Sequence, residues 1–217
     1  LRLRSQAPVP DEWREIAAEF NLQTADTMSF PSVVFHGDEN ALSSIKVVSD
    51  NYPLRGAVRV ADELFGEQRD VDGIPAAGEV WADGALLARV GADVGDMLDI
   101  GELHLRVSAV LTYRPDQSIG FASLAPTVIL NIADIGASGL IGEGSRVRYA
   151  LLVAGDDDDV ASFSDAISDK LPDEIRIRSQ EESSERAYNA ADRAQRFLSL
   201  TAVISLLLSA VAVAMSA

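Results

Sequence analysis

The sequence of 217 residues has no cysteine. That excludes disulfides and thiolate metal sites, and fits the cytosol or the periplasm equally well. Histidine is almost as scarce, with two copies. His36 stands beside a turn and His104 lies in an alternating run, so both read as solvent-facing strand residues rather than catalytic bases. Positive charge is thin, with 18 Lys and Arg against 34 Asp and Glu and a net charge of −16. A chain so acidic is not built for nucleic acid, which demands clustered Lys and Arg, or for docking on an anionic membrane surface. The zinc-protease H-E-x-x-H, the nucleophile elbow G-x-S-x-G and the phosphate-binding G-x-x-x-x-G-K-[ST] are all missing. The chain is therefore expected to be no enzyme, to hold no cofactor or metal, and not to bind ATP by itself. Residue 1 is Leu, and no charged leader or cleavage site precedes it. The chain reads as a fragment.

One segment lacks charge altogether. Phe197 to Ala217 carries none, although 24% of the chain is charged. Twenty-one residues of helix reach roughly 31 Å, close to the roughly 30 Å of a bilayer's hydrocarbon core. The segment is expected to be a transmembrane helix. Its small residues Ser199, Ala202, Ser205, Ser209, Ala212 and Ser216 recur at three- and four-residue spacing. Such a stripe lets membrane helices approach closely, as among the spans of a polytopic protein. Residues 183–196, SSERAYNAADRAQR, contain no Gly or Pro and are expected to form a stalk helix running into the span. Arg186, Arg193 and Arg196 flank it, which by the positive-inside tendency favours a cytoplasmic side for the stalk.

The rest alternates between strand and helix signals. Leu1 to Ser5 predicts a strand, and Pro10-Asp-Glu opens a helix with Trp13, Ile16, Ala17 and Phe20 on one face. Thr27 to His36 and Leu42 to Ser49 predict strands around Gly37-Asp-Glu-Asn40, a hairpin signal. Near the end come a strand (146–154), a helix (156–171) and a strand (174–178). The order β-α-β-β, then β-α-β, predicts an α+β sandwich with both helices on one face of a shared sheet. Between the halves lies a stretch with short strands at 58–61, 79–82 and 127–131, a short helix at 84–90, and two strands within 95–111 joined at Gly101-Glu102. The expected domains are a membrane-proximal lobe (1–50 and 145–182), an inserted β-rich lobe (51–144), the stalk (183–196) and the membrane helix (197–217).

Two polar clusters stand out. Asp156-Asp-Asp-Asp159 could hold Ca²⁺, but the alternating ligands of a calcium loop are absent. Capping the positive end of the helix that follows is the plainer role. Residues 156–185 contain eleven acids against three bases, half of the chain's excess negative charge. Asp50-Asn-Tyr-Pro-Leu-Arg-Gly56 lies where the first lobe hands over to the insertion. Pro53 stiffens it and Gly56 permits an unusual backbone angle. Arg55 is placed to tie the lobes together. Tyr52, Pro53, Leu54, Arg55 and Gly56 are therefore candidates for a hinge or contact between lobes, with a ligand site as the alternative.

Three stretches, SIKVVSDNYPLRGAVRVAD, GEVWADGALLARVGADVGDMLDIGELHLRVSAVL and FASLAPTVILNIADI, resemble the extracytoplasmic domain of FtsX-like ABC transporter permeases. That superfamily includes the MacB and LolC types, and the similarity is to its YbbP-like subgroup. The resemblance spans roughly the whole chain. It implies a first membrane span before Leu1, a two-lobed periplasmic domain, and a second span from Phe197. It places residues 1–196 in the periplasm at a bacterial inner membrane, against the flanking arginines. It also implies a separate cytoplasmic ATPase partner, a second permease half in a dimer, and export or extraction of a hydrophobic substrate of the lipid or lipoprotein class. The competing readings are a membrane-anchored binding or scaffold module and a membrane-anchored hydrolase.

Overall fold

Hydrophobic alternation along a few long strands organises the chain. In a computed structural model, residues 1–117, 125–142, 145–168, 171 and 175–178 are described. The stalk, the membrane segment and its small-residue stripe lie outside them. Among the described residues, no helix is long and apolar enough to cross a membrane.

The elements in chain order are β1 (Arg2–Ser5), α1 (Glu12–Glu19), β2 (Gln23–His36), β3 (Glu39–Val48), β4 (Val58–Ala61), β5 (Arg69–Val71), β6 (Glu79–Asp83), α2 (Gly84–Val90), β7 (Met97–Ile100), β8 (Leu103–Tyr113), β9 (Thr127–Asn131), a 3₁₀ helix (Ile132–Ala137), β10 (Arg148–Ala154), α3 (Asp157–Ser168) and β11 (Arg176–Arg178). Residues Leu1–Ile177 form one compact unit. The fold is a mixed α/β one.

All eleven strands join one sheet in the order β11-β1-β10-β2-β3-β9-β6-β8-β4-β5, with β7 bridging β2 and β8. That bridge closes a ring: β2 pairs β3, β3 pairs β9, β9 pairs β6, β6 pairs β8, β8 pairs β7, and β7 returns to β2. Closure removes exposed strand edges along this circuit.

The register sets what fills the ring. Phe30 faces Ile45, Met28 faces Val47 and Val34 faces Ala41 across β2 and β3. Directly opposed residues share a face, so these point inward. They meet Val80, Ala82, Leu98, Ile100, Leu105, Val107, Val110, Val128 and Leu130 in one core, which Leu86, Leu87 and Val90 of α2 also join. Strand β8 serves this core with residues of both parities because it bulges. Val80 pairs Val107 but Trp81 pairs Ala109, leaving Ser108 extra. The bulge turns Leu105 and Val107 inward before it and Val110 inward after it. Ala109 and Leu111 then face outward, into a second core with Val48, Tyr52, Val58, Val60, Trp81 and Ile129.

Helix α2 has strong local signals at both ends. Asp83 caps it by accepting from the Ala85 N–H, and Gly91 ends it in the left-handed conformation at φ 64°. Both are the residue types that helix ends favour.

Helices α1 and α3 cover the other end. Trp13 and Ala17 of α1 and Phe163 and Ile167 of α3 share a core with Leu3 of β1 and Leu151 and Val153 of β10. Phe20 meets Phe163 edge-on, with ring centroids 6.5 Å apart. Strand β2 begins four residues before the alternation predicts, because Gln23 to Asp26 pair with β10. Strand β5 carries no sequence signal at all. It exists through three pairs with β4.

Candidate functional site

Lys46 is one of only two lysines in the chain. On β3 it is opposed to Ser29 and is therefore turned to the outside of the ring. Yet it is buried, with 1% of its surface exposed. The turn after β3 and the loop after β8 bury it.

The turn is fixed by its own hydrogen bonds. The Tyr52 N–H donates to Ser49 O at 2.9 Å. Ser49 Oγ accepts from the Asp26 N–H at 2.9 Å, and Asn51 Nδ2 donates to Thr24 O at 3.0 Å. The Tyr52–Pro53 peptide is cis. These bonds fold the Tyr52 ring beneath Lys46, whose Nζ lies 4.7 Å from the ring centroid, a cation–π distance. From the other side, Asp116 takes one bond from each. Lys46 Nζ donates to Oδ2, and the Tyr52 hydroxyl donates to Oδ1 at 2.8 Å.

Burial dominates the electrostatics. It pushes the Lys46 ammonium down to about 8, with Asp116 opposing the shift. It pushes the Tyr52 phenol upward, and the Asp116 charge adds to that. For Asp116 burial acts upward too. The Lys46 charge and the two hydrogen bonds outweigh it and hold the carboxyl below its usual range. Arg2 and Arg114 also act on the cluster, and burial pushes Arg2 down. Arg2 Nε is buried without a hydrogen-bond partner. One carboxylate thus serves a site where three cations converge.

The predicted residues 52–56 divide between this cluster and its surroundings. Tyr52 is its floor. Leu54 packs on the outer core. Arg55 donates to Gly155 O at 2.6 Å, just before α3. Gly56 sits at φ 75°, and a Cβ there would lie 3.1 Å from Pro115 Cβ. Only Pro53 has no specific role in the geometry. Residues 52–56 therefore touch both the loop after β8 and the start of α3.

Sequence reasoning missed Lys46, Asp116 and Arg2. A signal for Lys46 existed, since a lone lysine inside an Ile-Lys-Val-Val strand run contradicts that run's burial. Asp116 lies 70 positions away and carries no such signal. Ser43 and Lys46 also have the S-x-x-K spacing of a nucleophile–base pair. On a strand an offset of three puts them on opposite faces. Ser43 points into the ring, where its Oγ has no partner, and Lys46 points out, so they form no dyad.

The remaining polar candidates are simpler. His104 is exposed and its Nδ1 lies 2.5 Å from Asp99 Oδ1. His36 is less solvent-facing than predicted, because its Nδ1 lies 3.1 Å from Val90 O at the end of α2. Asp157, Asp158 and Asp159 occupy the first turn of α3, where the helix dipole favours them. A groove of about 270 Å³ lies beside α1. Val9, Met28, Ile132, Ile141 and Tyr149 line it, with the Arg14–Asp26 ion pair on its wall.

No family model matches the chain. Among curated proteins it is 29% identical over 215 residues to an uncharacterized ABC transporter permease, YbbP, from Escherichia coli K12. The match covers 99% of this chain and 26% of the relative, so the chain spans about a quarter of that permease. Among solved structures the fold is similar to the periplasmic region of MacB from Actinobacillus actinomycetemcomitans, with TM-score 0.54 and 13% identity over 87% of this chain and 92% of that one. It is also similar to the extracellular domain of the noncanonic ABC-type transporter YknZ from Gram-positive bacteria, with TM-score 0.51 and 9% identity over 82% and 100%. In sequence the chain resembles part of an ABC transporter permease, and in fold it resembles the periplasmic region of MacB.

Proposed function

We propose that this chain is the extracytoplasmic part of a transport subunit that couples ATP hydrolysis by a separate cytoplasmic ATPase to export or extraction of a hydrophobic substrate. The observation that carries the reading is the end-to-end match to one quarter of a permease. Residues 1–196 then lie in the periplasm at the inner membrane, with 183–196 as the stalk and 197–217 as a span. A second permease half completes the transporter. The apolar groove beside α1 supports a hydrocarbon-rich substrate such as a lipid or lipoprotein. In this reading the hinge residues 52–56, with Lys46 and Asp116, relay movement between segment 51–144 and the segments 1–50 and 145–182. The cluster suits that task because it is buried, charged and bonded from three parts of the chain.

The test uses the intact protein purified from membranes. An ABC ATPase co-purifies, and its hydrolysis falls when Asp116→Ala or Arg55→Ala loosens the junction while the complex stays assembled. Absence of an ATPase from the purified material overturns the transport reading. Hydrolysis indifferent to both variants overturns the relay.

A further inference from the structure

Phe65 is wholly exposed, at 100% of its surface. Most exposed apolar side chains need no explanation. This one does, because its backbone is also held in the left-handed region, at φ 64°. A bulky residue rarely adopts that conformation, and nothing the ring contacts repays it.

The surrounding loop holds the ring out. Leu64, its neighbour, turns inward against the ring core and approaches Gly84, where a Cβ would lie 3.3 Å from Leu64 Cδ2. The Gly66 N–H donates to Glu63 O at 3.0 Å and closes a tight turn around Phe65. Below the turn, Arg69 pairs with Asp62 and Arg59 pairs with Asp70, each at 3.0 Å. Leu64 anchors the loop, the ion pairs clamp its base, and Phe65 is what it displays. An exposed aromatic is the residue type that dominates binding energy when a partner's pocket covers it.

The charges around it select the partner. Residues 59–72 contain five acids and two bases, and the two ion pairs leave Glu63, Glu67 and Asp72 as the negative excess. That rim repels anionic headgroups. It also repels a second copy of a chain whose net charge is −16. It matches a protein pocket that is apolar inside and rimmed by Lys and Arg. We propose that Phe65 is the anchor of a docking site for another protein, which receives the ring in an apolar pocket with a basic rim. This proposal does not depend on the transport reading.

The experiment places the photo-reactive p-benzoylphenylalanine at position 65 of the intact protein in its native membrane. Illumination is expected to give an adduct with a second protein, mapped to apolar residues flanked by Lys or Arg. Glu63→Lys with Glu67→Lys is expected to reduce the adduct at least about tenfold. The same probe at Gln68 gives a weaker one. Phe65→Gly is the control for a structural role: it keeps the left-handed backbone, so the unfolding temperature stays equal or rises while co-purification of the mapped partner is lost. No adduct, adducts only to lipid or to a second copy, indifference to charge reversal, or a lowered unfolding temperature in Phe65→Gly each overturns the proposal.

Discussion

The helix-backed end and the closed ring reach burial by different routes. At the helix-backed end, β11, β1 and β10 lie in line and α1 and α3 cover one face. In the ring, β7 joins β2 to β8 and the strands enclose their own core. The helices of the first end carry local signals, because α1 and α3 each present an apolar stripe, but its strands pair opposite ends of the chain, Arg2 with Leu152 and Leu3 with Leu151. The ring combines hairpins, β2 with β3 and β7 with β8, with pairings of intermediate reach such as β3 with β9. Its closure rests on two residue pairs, Val34 with Ile100 and Phe35 with Asp99. Lys46 and Asp116 clasp the outside of the ring from 70 residues apart. Because it closes on itself, the ring should be the cooperative part of the molecule, and the helix-backed end, which finishes on the short strand β11, the part that opens locally.

The sharpest way to break the ring is from outside. Asp116→Ala leaves Lys46 buried without its counter-charge and removes the Tyr52 acceptor. Breaking a buried pair on one side costs about 3–5 kcal/mol. Chemical denaturation at neutral pH should show that loss as a single shifted transition. Asp116→Asn keeps an acceptor for Tyr52 and should lose less. Equal losses in the two variants would mean that the charge, not the hydrogen bond to Tyr52, matters.

Core truncations compare the two regions directly. Leu98→Ala in the ring and Ile167→Ala at the helix-backed end each remove a fully buried branched side chain and should cost about 2–5 kcal/mol. The costs are similar but their reach should differ. Hydrogen exchange in Leu98→Ala should accelerate throughout β2, β3, β8 and β9. In Ile167→Ala it should accelerate in α1, α3 and β1 and leave the ring protected. Uniform acceleration in both variants would show one cooperative unit with no distinction between its ends.

The pH dependence sharpens the same contrast, because Lys46 belongs to the ring side alone. Its ammonium is pushed from 10.5 to about 8 in the fold. Between those values the unfolded chain binds the proton that the folded chain has released, so stability rises with pH across the window. Below pH 8 both states are protonated and the cost of burying the charge is fully present. Denaturation midpoints at pH 8, 9 and 10 should therefore climb more steeply in the parent than in Lys46→Met. Parallel slopes would remove Lys46 as the cause.

The distance between partners explains what could be read from the sequence. The limits of α2, β4 and β9 follow from Asp83, Gly91 and short apolar runs, all local. The bulge at Ser108 was hidden, because Leu103, Leu105 and Val107 alternate cleanly up to it and only the pairing with β6 shows where the parity turns. Residues 52–56 were legible as a constrained turn through Pro53 and Gly56. Their partners were not, since neither Asp116 nor Gly155 is marked by spacing or composition. Ring closure was equally hidden, because Val34 and Ile100 look like ordinary strand ends until they pair.

The smallest expected effect concerns Gly56. Its φ of 75° lies in the left-handed region, and a Cβ there would come within 3.1 Å of Pro115 Cβ. Alanine must strain the backbone and press on the loop that carries Asp116, at a cost of about 1–2 kcal/mol. Gly37 provides the comparison, with φ 58° and open space around it. Gly37→Ala strains the backbone but touches nothing, so it should cost less. If both variants also carry Asp116→Ala, the difference between them should shrink, because the Pro115 loop no longer has a salt bridge to protect. A difference that survives intact would mean that Gly56 matters only for its own turn and not for the grip of Asp116 on Lys46.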